Sequence, residues 1–582
     1  MKRIILISLI IVSCSGVFAK KTVVSSAAGI TSALASTSPG DTLMMQNGTW
    51  SDQRIQFAKS GTATNPITLL AETPGKVILT GSSTLEISGQ YLTVSGLYFK
   101  GTATSTLQSV VSFRTSSSNV AQNCRLTNTL IESYSPVDGN TDTKWVSLYG
   151  TSNMVDNCSF INKTNIGTLL VVWLPSSGTT ENYHQIKNNY FGKRVSLLDD
   201  SGQEINGQEI IRVGDSNTSM GYSRTLVENN IFDQCNGEIE IISNKSCGNS
   251  YRNNLFTSCV GTLTLRHGND CLVEGNYFFG NNIPNTGGIR VIGENHKVYN
   301  NYLEGIAGSG YRAAICTVGG LVNSPLNGYF QVKNAEIAFN TLVNCASAIE
   351  TNVCSAQTLP NENTTFAFNN IYNTSSKKCV TVNLTADGIN WNQNTYSQGT
   401  FIGITATNAD FTPISVTSQA MARDDSPVPI FEPTSASQLS TVFTTTQYPD
   451  VTTDIKGRDR TASKNAGASQ TGSMPISKQM PSLNDVGVSW LKTVSTGCSA
   501  ISANHDKLVT ILASNRNSGL VFKLINDNST LKLDLYTING QKVDSVQYHQ
   551  IENRYNLSQL PNGLYFAIFS DKQTKQIAKI IL

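Results

Sequence analysis

One short segment, built around asparagine, recurs through the middle of this chain of 582 residues. Its copies read IKNNYF, VENNIF, YRNNLF, VEGNYF, VYNNYL, IAFNTL and FAFNNI, and their repeated asparagines are Asn189, Asn230, Asn254, Asn276, Asn301, Asn340 and Asn370. Three successive gaps are 24 (230 to 254), 22 (254 to 276) and 25 (276 to 301) residues, and wider gaps of 41, 39 and 30 indicate inserted loops. A period in the low twenties, rich in Asn, Gly and β-branched residues, predicts an all-β solenoid, the single-stranded parallel β-helix.

A single coil of such a repeat cannot bury its apolar face, so neighbouring coils stack about 4.8 Å apart. We expect the repeated asparagines to form an internal hydrogen-bonded ladder at one turn. The alternative is an asparagine-rich sandwich in which no coils stack.

Charged residues fall on one face of the predicted coils. Because side chains alternate along a strand, residues of one parity, counted from the asparagines, share the outer face: Glu238, Glu240, Thr262, Thr264, Arg266, Gly288 and Arg290. The opposite parity holds the apolar residues that we expect inside: Ile239, Ile241, Leu263, Leu265, Ile289 and Val291. The pattern therefore predicts a charged stripe along the outside of the helix.

A charged outer strand face is often only solvated surface. The pair Glu238 and Glu240 argues against that interpretation, because two glutamates one residue apart repel each other unless a cation or a guanidinium lies between them. Oxygen ligands favour a hard ion such as calcium. Asn206, in the loop before EIIRVG, is the candidate amide ligand from the preceding coil.

The pattern E-x-E-x(4)-K at Glu238, Glu240 and Lys245, followed by Arg266 in LTLRHGN, resembles polysaccharide lyase family 6, the alginate lyases and chondroitinase B. The segments NGTW, ITLLAETPGKVILTG, EIIRVG and GGIRVIG support this resemblance, which covers roughly residues 22 to 470.

The resemblance implies a right-handed parallel β-helix that cleaves uronate-containing polysaccharides by β-elimination. It also implies Lys245 as the base, Arg266 as the acid, and Ca²⁺ held by Asn206, Glu238 and Glu240.

The chemistry of elimination explains these residue types. The reaction removes the proton at C5, beside the uronate carboxylate, and calcium on that carboxylate would neutralise the charge that develops. Lysine is a base only when neutral, a state that a nearby divalent cation and Arg266 would favour and that the glutamates would partly oppose. Arginine almost never gives up its proton, so we interpret the acid role of Arg266 as hydrogen-bond donation to the departing oxygen.

Three further residues are predicted to bind substrate. His267 has the opposite parity to Arg266, but Gly268 follows it, and a strand that ends there would turn the imidazole outward; a lone histidine is also often structural. Arg290, one coil further on, would clamp a neighbouring sugar carboxylate with two parallel hydrogen bonds. Arg312, in GYRAAI, is another candidate.

The N-terminus predicts export. Three residues including Lys2 and Arg3 precede the apolar run Ile4–Val12, a pattern typical of a secretory signal peptide over residues 1–19. Within it, IVSC also resembles a lipoprotein box, and processing there would leave a lipidated Cys14.

The C-terminal part has a different pattern. Residues 501–582 contain short alternating strands, with Asn539-Gly540 as a two-residue hairpin signal, and predict a small β-sandwich. Its segments LYTINGQKV, LPNGLYF and KIIL resemble the C-terminal sorting domain of the type IX secretion system, so the resemblance implies that this machinery delivers the protein outside the cell or to its surface. A carbohydrate-binding sandwich is the alternative. Residues 20–471 are then the predicted catalytic β-helix and residues 472–500 a linker.

Composition excludes some partners. With 42 Lys plus Arg against 40 Asp plus Glu, the net charge is only +2, so no polybasic surface for nucleic acid or membranes is indicated. Of the twelve cysteines, Cys235 and Cys259, like Cys247 and Cys271, are one coil period apart. Because the chain has no C-x-x-C motif, we interpret them as stacked buried thiols rather than metal ligands.

Two other functional classes remain open. A β-helix glycoside hydrolase would use Glu238 and Glu240 as its paired carboxylates, but would leave Lys245 and Arg266 without roles. A surface adhesin would need no charged stripe. Among lyase substrates, an outward Arg290 favours alginate, an all-carboxylate polymer, over dermatan sulfate, the substrate of a chondroitinase B-like enzyme.

Overall fold

The computed structural model describes residues 19–104, 108–354, 356–424, 428–441, 447–461, 464–470 and 475–492 and, further on, 509–515, 519–524, 531–537, 542–548, 552–560, 564–570 and 575–581. The chain divides into two compact units, Met1–Thr493 and Val494–Leu582. Apart from Ala19, the predicted signal peptide lies outside the described residues, as do Cys14 and the hairpin residues Asn539-Gly540.

The first unit is a parallel β-helix, as predicted, whose coils each contribute one strand to three sheets. Within the described residues, each sheet has 14 strands. The strands of the first sheet are Lys21–Val24, Thr42–Met45, Ile67–Ala71, Leu92–Ser95, Arg125–Thr127, Met154–Asp156, Gln185–Lys187, Leu226–Glu228, Ser250–Arg252, Leu272–Glu274, Lys297–Tyr299, Glu336–Ala338, Thr364–Ala367 and Ile389–Asn392. The strands of the second sheet are Gly48–Ser51, Val77–Gly81, Leu97–Ala103, Leu130–Ser135, Ser159–Ile161, Tyr190–Arg194, Ile231–Cys235, Leu255–Thr257, Tyr277–Phe279, Tyr302–Glu304, Thr341–Val343, Asn370–Tyr372, Asn394–Tyr396 and Phe411–Pro413. The strands of the third sheet are Arg54–Ser60, Thr84–Gln90, Ser109–Ser112, Ala121–Gln122, Lys144–Leu148, Leu170–Val172, Ile211–Gly214, Glu240–Lys245, Thr262–His267, Ile289–Val291, Ile315–Val318, Ser347–Val353, Lys378–Val382 and Thr400–Ile402.

Short elements flank these coils. The helix Ala27–Leu34 begins after Ser26, whose Oγ accepts the N–H of Gly29, and it lies at the N-terminal end of the solenoid. The other helices in the described residues are Ser216–Thr218, Gly310–Arg312 and Val416–Gln419. Antiparallel pairs join Met421–Arg423 to Phe431–Pro433 and Ser440–Thr441 to Lys464–Asn465.

The interior of the solenoid is built from stacked identical positions. Five phenylalanines from successive coils form one column with ring centroids 4.5–5.2 Å apart: Phe160, Phe191, Phe232, Phe256 and Phe278. Such stacking adds to the free energy gained by burying the rings. The column fixes the register of neighbouring coils.

The predicted asparagine ladder is present, with one correction. From Asn230 onward, each Oδ1 accepts the backbone N–H of the preceding ladder asparagine at 2.9–3.0 Å, and the members are Asn189, Asn230, Asn254, Asn276, Asn301, Asn340, Asn369 and Asn394. The prediction of Asn370 was wrong by one residue. In FAFNNI the left-handed turn residue is Phe368, with φ 55°, so the first asparagine enters the ladder, and Asn370 instead donates to Gln419.

The predicted register of the third sheet was also wrong in detail. A β-bulge pairs Glu240 with Thr262 and Ile242 with Leu263, so both Ile241 and Ile242 are buried in the interior while Ile239 is not. A second irregularity pairs Lys245 with His267 and leaves Arg266 as the extra residue. Bulges place two residues opposite one and re-aim side chains. The charged stripe is therefore kept, although the simple alternation is not.

Residues 475–492 are not the free linker that we predicted. Val486 packs with Ile231, Leu255 and Tyr277 on the outer face of the second sheet. The N–H of Val488 donates to Ser159 Oγ at 3.1 Å, among a series of contacts that cross several coils. This strap, residues 475–492, covers apolar surface that the sheet would otherwise expose.

The second unit contains two antiparallel sheets, as predicted for a β-sandwich. One has the strands Val509–Asn515, Gly519–Leu524 and Glu552–Tyr555, and the other has Lys542–Tyr548, Leu531–Thr537, Leu564–Ser570 and Lys575–Ile581. Their shared core comprises Leu520, Phe522, Leu531, Leu533, Leu535, Leu557, Ala567 and Phe569.

The ten cysteines that the structure describes are free thiols. Cys235, Cys247, Cys259 and Cys271 are buried, and the N–H of Cys235 points to Cys259 Sγ at 3.5 Å, in agreement with stacked interior thiols. In the described part of the chain, no helix has the length and apolar character needed to cross a membrane.

Candidate functional site

Three glutamates from two successive coils meet at the outer face of the third sheet. Glu209 precedes the strand Ile211–Gly214, Glu238 precedes the next strand, Glu240–Lys245, and Glu240 is its first residue. Glu209 and Glu238 are only 2% and 6% exposed. Burial, together with the charges of Glu209 and Glu240, raises the pKa of Glu238 to about 9. The site is therefore short of positive charge next to Glu238.

Each of the other two carboxylates has defined partners. Glu209 Oε2 accepts from Thr168 Oγ1 at 2.7 Å, and the Glu209 carbonyl accepts from the buried Arg194 at 3.0 Å. Glu240 forms an ion pair with Arg290 and accepts from Ser243. These contacts fix both side chains before any ligand binds.

Lys245 lies beside this acidic group. Its Nζ is 4.0 Å from Glu209 Oε1, and its side chain is 20% exposed, so the amine is held yet accessible. Gly214 occupies the paired position on the preceding coil, with φ 86°. A Cβ at Gly214 would lie 2.3 Å from the carbonyl oxygen of Lys245. Only glycine therefore allows the two coils to approach this closely.

Arg266 completes the predicted catalytic pair. Its Nε is 3.7 Å from Glu240 Oε1, and its guanidinium lies 4.2 Å from the ring centre of Tyr329. Its NH1 donates to the carbonyl of Gly328 at 2.6 Å. The loop that carries residues 328–329 thus orients Arg266 over the same face as Lys245.

His267 is brought next to Lys245 and Arg266 but does not turn outward. It is the last residue of its strand and is 2% exposed, with Nε2 3.2 Å from Ser216 Oγ. Burial and the charges of Arg266 and Lys245 lower its pKa to about 3, so the imidazole is neutral near pH 7. Direct contact of His267 with a substrate stays a prediction.

The structure corrects the prediction that Arg290 is an outward clamp. Arg290 is 3% exposed, because its guanidinium pairs with Glu240 and lies 5.1 Å from the ring of Tyr311. Arg312 likewise pairs with Glu204, at 3.0 Å. Arg312 is 22% exposed in its side chain, so its contact with a substrate stays a prediction.

The residues predicted to hold calcium have suitable chemistry. Glu238 and Glu240 offer carboxylate oxygens, and Asn206 is exposed, with its Oδ1 accepting from Gly207 at 2.9 Å. The same Gly207 N–H donates to Glu238 Oε2 at 3.2 Å, which brings the loop to the acidic group. These ligands are all oxygen atoms and two of them are carboxylates close to each other, a combination that fits a hard divalent cation. As placed, however, no three His, Cys, Asp or Glu side chains among the described residues form a ready metal-binding group.

Sequence reasoning missed several residues of the site. We gave no role to Glu209, the first residue of EIIRVG, although its position just after Asn206 could have indicated that it belongs to the site. Tyr311 and Tyr329, which orient Arg290 and Arg266, lie in loops that connect strands, Tyr311 in the short helix Gly310–Arg312. No spacing rule connects such loops to the strands they cover.

Comparison with known proteins agrees with the fold. Residues 24–430 match the family model of chondroitinase B, which is more than half of the chain. The protein therefore belongs to the chondroitinase B family. Residues 517–582 match the secretion system C-terminal sorting domain, so the second unit is a sorting domain of this type. A comparison with curated proteins gave no match.

Solved structures include similar β-helices. The PL6 family alginate lyase AlyGC is 35% identical, with a TM-score of 0.69, over 81% of this chain and 58% of that chain. A mannuronic acid specific polysaccharide family 6 lyase from human gut microbiota is 30% identical, with a TM-score of 0.60, over 68% of this chain and 91% of that chain. The PL6 family polysaccharide lyase Pedsa3628 from Pseudopedobacter saltans is 26% identical, with a TM-score of 0.55, over 68% of this chain and 98% of that chain. The chain thus spans under two thirds of the length of AlyGC.

Proposed function

We propose that this protein is a polysaccharide lyase that cleaves a uronate polymer by β-elimination. The observation that carries the proposal is the meeting of Lys245 and Arg266 on one outer face, beside the three glutamates Glu209, Glu238 and Glu240. A glycoside hydrolase would give the two cations no role. Membership of the chondroitinase B family supports the same reaction class.

Each residue has a defined part in the proposed reaction. Lys245, in its neutral form, takes the C5 proton, the electron pair forms the C4–C5 double bond, and the glycosidic oxygen leaves from C4. The departing oxygen takes a proton from water, and the resulting hydroxide takes the C5 proton back from Lys245. Arg266 donates hydrogen bonds to that departing oxygen, since it does not itself lose a proton. Glu209 holds the Lys245 amine at the face where the sugar binds.

We propose that Asn206, Glu238 and Glu240 hold a calcium ion in the working enzyme. When bound, calcium would neutralise the uronate carboxylate next to the acidic C5 proton. The raised pKa of Glu238 supports this assignment, because a carboxyl that is protonated without a cation gives up its proton when one binds.

We propose alginate as the substrate rather than dermatan sulfate. The support is the likeness to an alginate lyase and a mannuronic acid specific lyase. Arg290 does not support the choice, because it is buried. The sorting domain supports delivery by the type IX secretion machinery to the cell surface or the medium.

A substrate panel tests this proposal. Purified enzyme is incubated with polymannuronate, polyguluronate, mixed alginate and dermatan sulfate, and the ultraviolet absorbance of unsaturated uronate is followed with and without a chelator. We expect product from alginate, its loss on chelation and its return with calcium. New reducing ends without an unsaturated product would indicate hydrolysis, and faster turnover of dermatan sulfate would contradict the choice of alginate.

A further inference from the structure

Two arginines on the outer face of the third sheet have no acidic partner in the part of the chain that the structure describes. Most arginines that the structure describes form an ion pair: Arg54, Arg125, Arg224, Arg252, Arg266, Arg290, Arg312, Arg423 and Arg458. Arg114 and Arg212 are partly exposed and pair with no carboxylate among the described residues. Their guanidiniums are therefore available to an anionic ligand.

Both arginines lie against one aromatic stack. The rings of Tyr149 and Trp173 are nearly parallel, at 7°, with centroids 6.0 Å apart. Arg114 Cζ lies 3.7 Å from the centre of the Tyr149 ring, and Arg212 Cζ lies 5.1 Å from the Trp173 ring. The order is Arg–Tyr–Trp–Arg. Stacking of this kind orients a guanidinium plane while its edge N–H groups stay free to donate.

The stack leads to Lys245. Leu148 pairs with Val172, and Val172 with Val213, so the residues that follow, Tyr149, Trp173 and Gly214, share one outward position. Gly214 in turn pairs with Lys245. Arg114 occupies the same position one coil before Tyr149, because Ser112 pairs with Ser147. The aromatic stack and Lys245 thus form a single column along the helix axis.

The column sets a distance. Arg114 and Lys245 are four coils apart, which at about 4.8 Å a coil is roughly 19 Å. A uronate trisaccharide whose scissile bond lies at Lys245 is too short to reach Arg114 as well. A polymer lying along the third sheet reaches both.

We infer that Arg114, held by Tyr149, binds a carboxylate of the polyuronate chain far from the scissile bond and so makes the enzyme prefer long chains. The inference rests on the proposed lyase function. The guanidinium edge matches a carboxylate through two parallel N–H···O bonds, and its fixed orientation lowers the entropy lost on binding. Without such a role, Arg114 would only cap the aromatic stack.

The test compares polymeric alginate with purified uronate trisaccharides. Arg114→Gln removes the charge, Arg114→Lys keeps it, and Arg252→Gln, on the first sheet, is the matched control. We expect Arg114→Gln to lower kcat/KM on polymer about twofold to fivefold, the size of a partly exposed ion pair, mainly through KM. The activity of Arg114→Gln on trisaccharides should be unchanged. Arg114→Lys should keep most of the preference for polymer. The preference of the wild-type enzyme for polymer should become smaller as the salt concentration rises.

The outcomes separate the possible failures. Equal losses on polymer and trisaccharide, or no loss on either, would overturn the role of Arg114 while leaving the lyase function standing. If Arg114→Gln does not fold, the wild-type and Arg114→Lys proteins decide. A preference for long chains that Arg114→Lys keeps and that high salt abolishes supports the inference. A preference that does not depend on salt overturns it. No unsaturated product from any uronate polymer with wild-type enzyme would overturn both proposals.

Discussion

Lys245 Nζ lies 4.0 Å from Glu209 Oε1, and the two residues come from neighbouring coils. Glu209 is buried and is itself fixed by Thr168. The amine is thus backed by a carboxylate that solvent does not reach, which restricts the positions that the amine can occupy. This relationship makes Glu209 a positioning residue for the proposed base.

Glu209→Gln should lower turnover more than affinity. The amide keeps the shape and the contact to Thr168 but removes the charge that holds the Lys245 amine. We expect kcat to fall about tenfold to a hundredfold, less than the full contribution of a general base, with KM changed less than threefold. Steady-state kinetics on alginate measure both constants. A loss confined to KM would assign Glu209 to binding instead.

Calcium should raise the thermal stability of the protein, more at pH 8.5 than at pH 6. Glu238 has its pKa raised to about 9, so a cation must displace its proton, and that displacement costs less as the pH rises. Differential scanning fluorimetry with and without calcium at each pH measures the shift.

The matched variant for that test is Glu238→Gln, which should lose most of the calcium-dependent shift. An equal shift in wild type and variant would place the cation elsewhere. No shift at either pH would remove calcium from the account.

The stability of the β-helix should fall as the pH falls from 6.5 towards 4. His296 is fully buried: its Nδ1 accepts from Cys271 and its Nε2 lies 2.9 Å from the Ile292 carbonyl. Burial lowers its pKa from 6.5 to about 4. The unfolded state therefore binds the proton first as pH falls, and the stability present above pH 6.5 is progressively lost down to about pH 4.

His296→Asn should weaken that acid dependence. Asparagine already fills the equivalent acceptor position in other coils, where Asn153 and Asn249 accept backbone N–H groups. Thermal unfolding between pH 4 and pH 7 should show a smaller fall in Tm for the variant than for wild type. An identical fall would mean that His296 does not carry the effect.

Two truncations should behave differently. Removing residues 494–582 deletes the sorting domain alone, so the purified enzyme should keep its specific activity while surface delivery in the native host is lost. Removing everything after residue 474 also deletes the strap, which exposes the apolar face that Val486 covers and frees Ser159 from Val488. That shorter protein should have a clearly lower Tm.

Different results would contradict the delivery part and the stability part of this prediction. A protein without residues 494–582 that reaches the surface normally would refute the sorting role, and loss of alginate binding would favour a carbohydrate-binding sandwich. Equal Tm values for the two truncations would show that the strap contributes nothing to stability.

Much of the architecture was predictable because the repeat converts sequence spacing into distance. The asparagine period placed Glu240 and Arg266 on neighbouring coils of one face, and the structure brings Arg266 Nε to 3.7 Å from Glu240 Oε1. The fate of Arg290 was not predictable, because its burial depends on Tyr311 and on Glu240 two coils earlier. The bulges were not predictable either. Counting alternate residues assumes that each strand position pairs with one residue of the next coil, and Ile241 pairs with none.

The Lys245→Ala variant tests the central claim most directly. Purified wild type and variant are compared on alginate by the appearance of unsaturated uronate, with Lys187→Ala on the first sheet as the control and Tm as the check on folding. The account predicts that Lys245→Ala loses turnover by at least about a thousandfold, as expected for a general base, with an unchanged Tm, because a partly exposed lysine adds little stability. Activity of Lys245→Ala within about tenfold of wild type, a change of about 1.4 kcal/mol in the barrier, would contradict it.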